Sequence, residues 1–181
     1  MSKPLKIPSI LCALLLPALA LTALPGCVGY RLGSMLPPDI KTISIPTFIN
    51  KTAEPQIEIQ TTRSAIEEIQ RDGSLKIAAE SQADAILQVK LTDYRIIPLV
   101  YEAQRKTAAT EYRLTLYAAI VLTRRSDNTV IVENPRCYGE ATFPVMGDMS
   151  SSKRIGLPKA AADLAHDIVQ KVTEVWTSEK K

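Results

Sequence analysis

Hydrophobic and polar positions divide the 181-residue chain into an uncharged apolar stretch and a long periodic region. Residues 7–24 are without charge and follow Lys3 and Lys6. From residue 40 the pattern turns periodic. In "DIKTISIPTF", Ile43 and Ile45 alternate with Thr42 and Ser44, the two-residue period of a half-buried strand that Pro46 ends or forces to an edge. Pro55 suits a first helical position, and Ile59, Thr62, Ile66 and Ile69 then recur at spacings of three, four and three. This predicts an amphipathic helix over 55–72, closed by Gly73 in the left-handed conformation. "SLKIA" is a short strand. In "ADAILQVKLTDYRIIPLVYEAQ", Leu87, Val89 and Leu91 oppose Gln88, Lys90 and Thr92; in "EYRLTLYAAIVLTRR", Tyr112, Leu114 and Leu116 oppose Arg113, Thr115 and Tyr117. With "TVIVENPRCYGEATFPV" these make an antiparallel meander joined by polar turns, and Gly139 suggests a bulge in its last strand.

The segment "MGDMSSSKRIG" has no period and is expected to be a loop. Beyond it Leu157, Ala161, Leu164, Ile168, Val172 and Val175 step by three or four, predicting a second helix of about twenty residues, ~30 Å long. The order of elements predicts an α+β two-layer sandwich over residues 40–181. Two helices would pack on one face of a mainly antiparallel, four- to five-stranded sheet, leaving the other face for water or a partner.

The apolar start has the layout of a secretory signal, a basic end followed by an apolar middle and small residues. A membrane-spanning helix is the rival, since ~17 to 25 residues cross a bilayer. Pro8, Pro17 and Pro25 weigh against it, because interior proline costs a helix roughly 3 kcal/mol. "LPGC", residues 24–27, resembles the lipobox of bacterial lipoproteins, which implies cleavage after Gly26 and acylation of Cys27. Residues 1–26 are then the signal and 27–39 a lipidated end with a short tether. Val28 follows the cysteine where, by resemblance to enteric lipoprotein sorting, an aspartate would imply inner-membrane retention, so the resemblance implies the outer membrane. Cys12 leaves with the signal, so Cys137 remains a lone thiol, expected buried and inert.

Removing the signal leaves 155 residues, enough for one core. The signal holds two of the 22 Lys and Arg and none of the 19 acids, so the mature charge is +1, far from what nucleic-acid binding requires. The one histidine, His166, falls two positions past core-facing Leu164 and so points to solvent. There is no HExxH, GxSxG, CxxC or glycine-rich phosphate loop, and the chain is expected to be no enzyme, with no metal and no cofactor. Basic pairs do stand at loop positions: Arg105 and Lys106, Arg124 and Arg125, Lys153 and Arg154. Any of them keeps a loop wet, or holds phosphate or carboxylate groups through paired donors.

"CVGYRL", "LPPDIKTISIPTFINKT" and above all "TEYRLTLYAAIVL" after a hairpin together resemble the lipopolysaccharide-assembly lipoprotein family, LptE, over nearly the whole mature chain. The resemblance implies a two-layer sandwich on the periplasmic side of the outer membrane that plugs the LptD β-barrel and helps it assemble. It implies assistance to lipopolysaccharide transport, with lipopolysaccharide met by Arg105 and Lys106 in the hairpin and by Lys153 and Arg154 before the last helix. The alternative is a periplasmic regulator lipoprotein that activates a cell-wall synthase. Such a protein needs a long tether, whereas residues 28–39 reach at most ~40 Å.

Overall fold

Aliphatic residues at every second position from Ala85 to Leu91 and from Leu114 to Leu122 build the centre of the sheet, each of them fully or almost fully buried. The computed structural model describes residues 36–101, 109–145 and 147–174, all within one compact unit, Gly33–Lys181. In chain order the elements are β1 (Thr42–Ser44), β2 (Ile49–Asn50), α1 (Ile57–Asp72), β3 (Lys76–Ile77), β4 (Ala85–Tyr101), β5 (Ala109–Arg124), β6 (Val130–Pro144) and α2 (Met149–Thr173). Among the described residues the fold is α+β, with two helices on a six-stranded sheet.

The sheet is mixed, which corrects the expectation of four to five mainly antiparallel strands. Order runs β3-β1-β4-β5-β6, and β2 also pairs with β4. The long hairpins β4–β5 and β5–β6 are antiparallel, while β1 pairs in parallel with β3 and β4, and β2 in parallel with β4. The reason lies in the connections. A tight turn returns a strand antiparallel, whereas the passage from β1 and β2 to β3 and β4 goes through helix α1, and a helical crossover brings the chain back in the same direction.

Helix α1 ends as its sequence predicts: Gly73 has φ 74° and its N–H donates to Ile69 O at 3.0 Å. Its buried face differs from the predicted stripe. Ile57, Thr61, Thr62, Ser64, Ala65 and Ile69 are buried, whereas Ile59 is 63% exposed. Small side chains win this face because α1 packs on α2, where Ala161, Ala165 and Val169 are buried too, and short side chains let two helices approach closely.

Helix α2 begins well before the predicted point, so "MSSSKRIG" is helical rather than loop. Asp148 caps it, its carboxylate accepting the Ser151 N–H at 2.9 Å and the Ser151 hydroxyl at 2.8 Å. Pro158 lies inside the helix, and the helix continues through it. The predicted stripe is buried at Ala161, Leu164, Ile168 and Val172 and partly buried at Leu157; Val175 lies outside the described residues.

Gly139 is not a bulge. It pairs in register with Leu116, and the irregularities of β5–β6 fall between Ala118 and Ile120 and between Leu122 and Thr123. A Cβ on Gly139 would stand 2.1 Å from Leu164 N and 2.5 Å from Ala160 O, so the missing side chain lets α2 rest on β6. From that position α2 also covers the outer edge of β6. Asp167 accepts the Tyr138 N–H at 3.0 Å, Asp163 accepts the Glu140 N–H at 2.8 Å, and Lys171 Nζ donates to Arg136 O at 2.8 Å. These bonds satisfy edge groups that would otherwise pair with another chain.

Candidate functional site

Beyond Leu91 the β4 strand loses its outer neighbour. β2 pairs with it at Lys90 and Leu91, the Lys51 N–H makes the last bond to Leu91 O, and Asn50 Oδ1 then turns the chain away by accepting the Thr52 N–H at 2.9 Å. From Thr92 to Tyr101 the strand is an edge among the described residues. Its alternation lapses in "RIIPLVY". Pro98, lacking an N–H, is tolerated on such an edge, and register shifts flank Val100. Apolar side chains therefore fall on both faces, past the cover of the helices: Ile97, Leu99, Val100 and Tyr101 are 46, 36, 46 and 50% exposed. The sequence showed this only as the point where the two-residue period breaks.

Arg105 and Lys106, between β4 and β5 in the sequence, lie outside the described residues, as does Cys27. Lys153 and Arg154 occupy the second turn of α2 rather than a loop. Lys153 Nζ is held 3.0 Å from Glu54 Oε2 and 5.6 Å from the centre of the Tyr94 ring, and its side chain is 30% exposed. Burial pushes the Tyr94 phenol well above its ordinary range, and the Glu54 charge adds to the effect. Arg154 is exposed, lies 3.4 Å from the Ser151 hydroxyl and acts electrostatically on the Asp148 carboxylate. The structure thus sets Lys153 against Tyr94 of β4 and paired with Glu54, while Arg154 stays at the start of its own helix. Glu54 and Tyr94 had no signal in the sequence, because their part in the site comes from α2 crossing the sheet.

The open face of the hairpin carries further cations, each with an acid. Arg95 lies 2.6 Å from Asp93 and over the Tyr117 ring, 5.4 Å from its centre. Arg113 lies 3.8 Å from Glu140, with its Nε buried and without a hydrogen bond. Chemically this half of the molecule presents exposed apolar rungs with cations beside them, a pattern suited to an amphiphile or to a mixed protein surface.

The residues expected to be inert are so placed. Cys137 is fully buried, and burial pushes its thiol up to about 11. His166 is exposed, with Nδ1 3.1 Å from Glu68 Oε1. Among the described residues no cluster of histidine, cysteine and acids suits a metal ion, and no helix is long and apolar enough to cross a membrane.

The sequence model of the LptE family, described as lipopolysaccharide-assembly, matches residues 40–172. No curated protein matches the chain by sequence. Solved structures share its fold at low identity. A hypothetical protein from Chlamydia trachomatis is 8% identical with TM-score 0.52, covering 74% of this chain and 96% of its own. A lipoprotein candidate from Caulobacter crescentus is 14% identical with TM-score 0.51, covering 70 and 88%. Lipoprotein B from Nitrosomonas europaea is 16% identical with TM-score 0.50, covering 80 and 88%.

Proposed function

The chain belongs to the LptE lipopolysaccharide-assembly family, and from that premise we propose that it is anchored through acylated Cys27 to the periplasmic side of the outer membrane. There it plugs an LptD-type β-barrel, helps that barrel assemble, and binds lipopolysaccharide during transport. It acts by binding rather than by catalysis. The observation that carries the reading is the exposed end of β4, Ile97, Leu99, Val100 and Tyr101, which Arg105 and Lys106 follow closely in the sequence. An amphiphile with acyl chains and phosphates offers a partner to both. Lys153 and Arg154 are the second basic pair of the same reading. Arginine meets phosphate through two parallel donors, whereas lysine acts as a point charge.

Charge reversal tests it. Arg105→Glu with Lys153→Glu is expected to weaken lipopolysaccharide binding by the purified protein roughly tenfold or more, and unchanged binding sinks the assignment. Because Lys153 is tied to Glu54, Glu54→Gln serves as the opposite control: freeing the ammonium is expected to strengthen binding. Co-purification from envelope extract tests the partner, since a large barrel supports the reading and a cell-wall synthase supports the alternative.

A further inference from the structure

At the end of β5 opposite the β4–β5 turn, Asp39, Ile40, Ala83, Asp84, Arg124 and Arg125 line most of a cleft of about 220 Å³. We infer that this cleft accepts a zwitterionic phosphate–ammonium headgroup, of the phosphoethanolamine type, its phosphate on the two guanidinium groups and its ammonium on Asp39.

The two acids of the cleft are not equivalent. Asp84 is spent internally: its Oδ2 accepts the Lys41 N–H at 3.0 Å, the Thr42 N–H at 2.9 Å and the Thr42 hydroxyl at 2.7 Å, stitching the start of β1 to the start of β4. Asp39 is 57% exposed along its side chain and, among the described residues, is held by Arg124, with Nε 3.1 Å from its Oδ2. That contact lacks hydrogen-bond geometry, and Arg124 Nε is buried without a hydrogen-bond partner. The cations differ as well. Arg125 is pinned at its root, the backbone N–H donating to Asp84 O at 2.9 Å and Nε–H to Ala83 O at 2.7 Å. Its terminal Nη groups make no hydrogen bond among the described residues, so a fixed fork is left unused. Arg124 reaches Asp127 only at 3.5 Å.

A plain anion in this cleft meets the Asp39 and Asp127 charges. A plain cation meets two guanidinium groups. A ligand carrying both charges a few ångströms apart satisfies each, and exchanges the poorly aligned Arg124–Asp39 contact for two aligned ones. Asp39 and Ile40 stand where the chain arrives from the tether, twelve residues after Cys27. A leaflet headgroup is therefore within reach; that source rests on the anchored reading above, whereas the chemistry of the cleft does not.

The test titrates the full-length purified protein in detergent with soluble glycerophosphoethanolamine, glycerophosphoglycerol and inorganic phosphate, following the Arg124 and Arg125 Nε–Hε resonances by NMR. Glycerophosphoethanolamine is expected to give saturable shifts, with roughly fivefold or greater preference over the other two. Asp39→Asn is expected to erase the preference, and Arg125→Lys to weaken binding while thermal melts show both variants folded. Equal response to inorganic phosphate, an unchanged preference in Asp39→Asn, or no saturable shift overturns the proposal. In nanodiscs, phosphatidylethanolamine is expected to protect Arg125 from phenylglyoxal and phosphatidylcholine, whose ammonium has no N–H, is not. Binding of the free headgroup without protection in nanodiscs overturns the leaflet as its source. Mass spectrometry of the same sample reports acylation of Cys27 independently, so failure of the anchor and failure of the cleft are told apart.

Discussion

Gly139 and Asp84 show how single residues hold this fold in different ways. Gly139 matters for what it lacks. Because a Cβ there meets backbone atoms of Ala160 and Leu164, neither rotamer change nor side-chain motion relieves the clash, and α2 must lift from β6. Gly139→Ala is expected to cost about 3 kcal/mol or more, the upper part of the range for overpacking, as read by urea unfolding. Asp84 matters for charge. Bonds from the Thr42 hydroxyl, the Lys41 N–H and the Thr42 N–H hold its carboxyl below the ordinary range. A depressed folded pKa contributes stability that is present above the unfolded value near 3.8 and is lost as pH falls through the folded value. Asp84→Ala is expected to lower stability by roughly 2 kcal/mol at pH 7 and to flatten that part of the acid loss. Equal acid sensitivity of variant and parent would remove this account. The sequence exposed neither role. Gly139 looked like a bulge because a glycine in a strand has several causes, and Asp84 acts on residues more than forty positions away.

Among the elements, α2 carries both the best and the worst of what the sequence disclosed. Its apolar stripe from Ala161 to Val172 was legible, because a helix packed on a sheet repeats every three to four residues. Its first turns were not, since "MSSSKRIG" has little apolar period. The cap at Asp148, with serine three positions on, was the available signal. Bonds from the Ser151 N–H and hydroxyl keep the Asp148 carboxyl low. Asp148→Ala is expected to fray the turns that hold Lys153 and Arg154, visible as faster hydrogen exchange there. The far end of α2 acts on β6 instead. Asp163→Ala with Asp167→Ala frees the Tyr138 and Glu140 N–H groups, so their exchange is expected to accelerate while that of β5 stays slow. Likewise α1 was placed to within two residues at its start, yet its buried face was misjudged. Periodicity favoured bulky Ile59, whereas helix–helix contact selected Thr61 and Ala65.

For the molecule as a whole, the layer architecture and the family were readable because long alternating strands and the "EYRLTL" hairpin are local features, while the parallel pairing of β1, β2 and β3 depends on crossovers that no local pattern specifies. On the proposed anchoring at Cys27, the length of the tether separates the proposed role from its alternative. With Cys27 acylated as proposed, the twelve residues 28–39 would hold the domain close to its own membrane, raising its effective concentration toward a barrel there and denying it reach toward a distant cell-wall enzyme. Effective concentration falls roughly as the three-halves power of tether length once the span is exceeded. Tripling the tether with a flexible glycine–serine insert after Gly33 is thus expected to lower barrel engagement about fivefold, measured as co-purified barrel per anchored molecule at limiting expression. A regulator of a remote synthase gains reach from the same insert, so rising activity with length would favour that role. The sign of the change separates the readings without any assumption about which loop touches the partner.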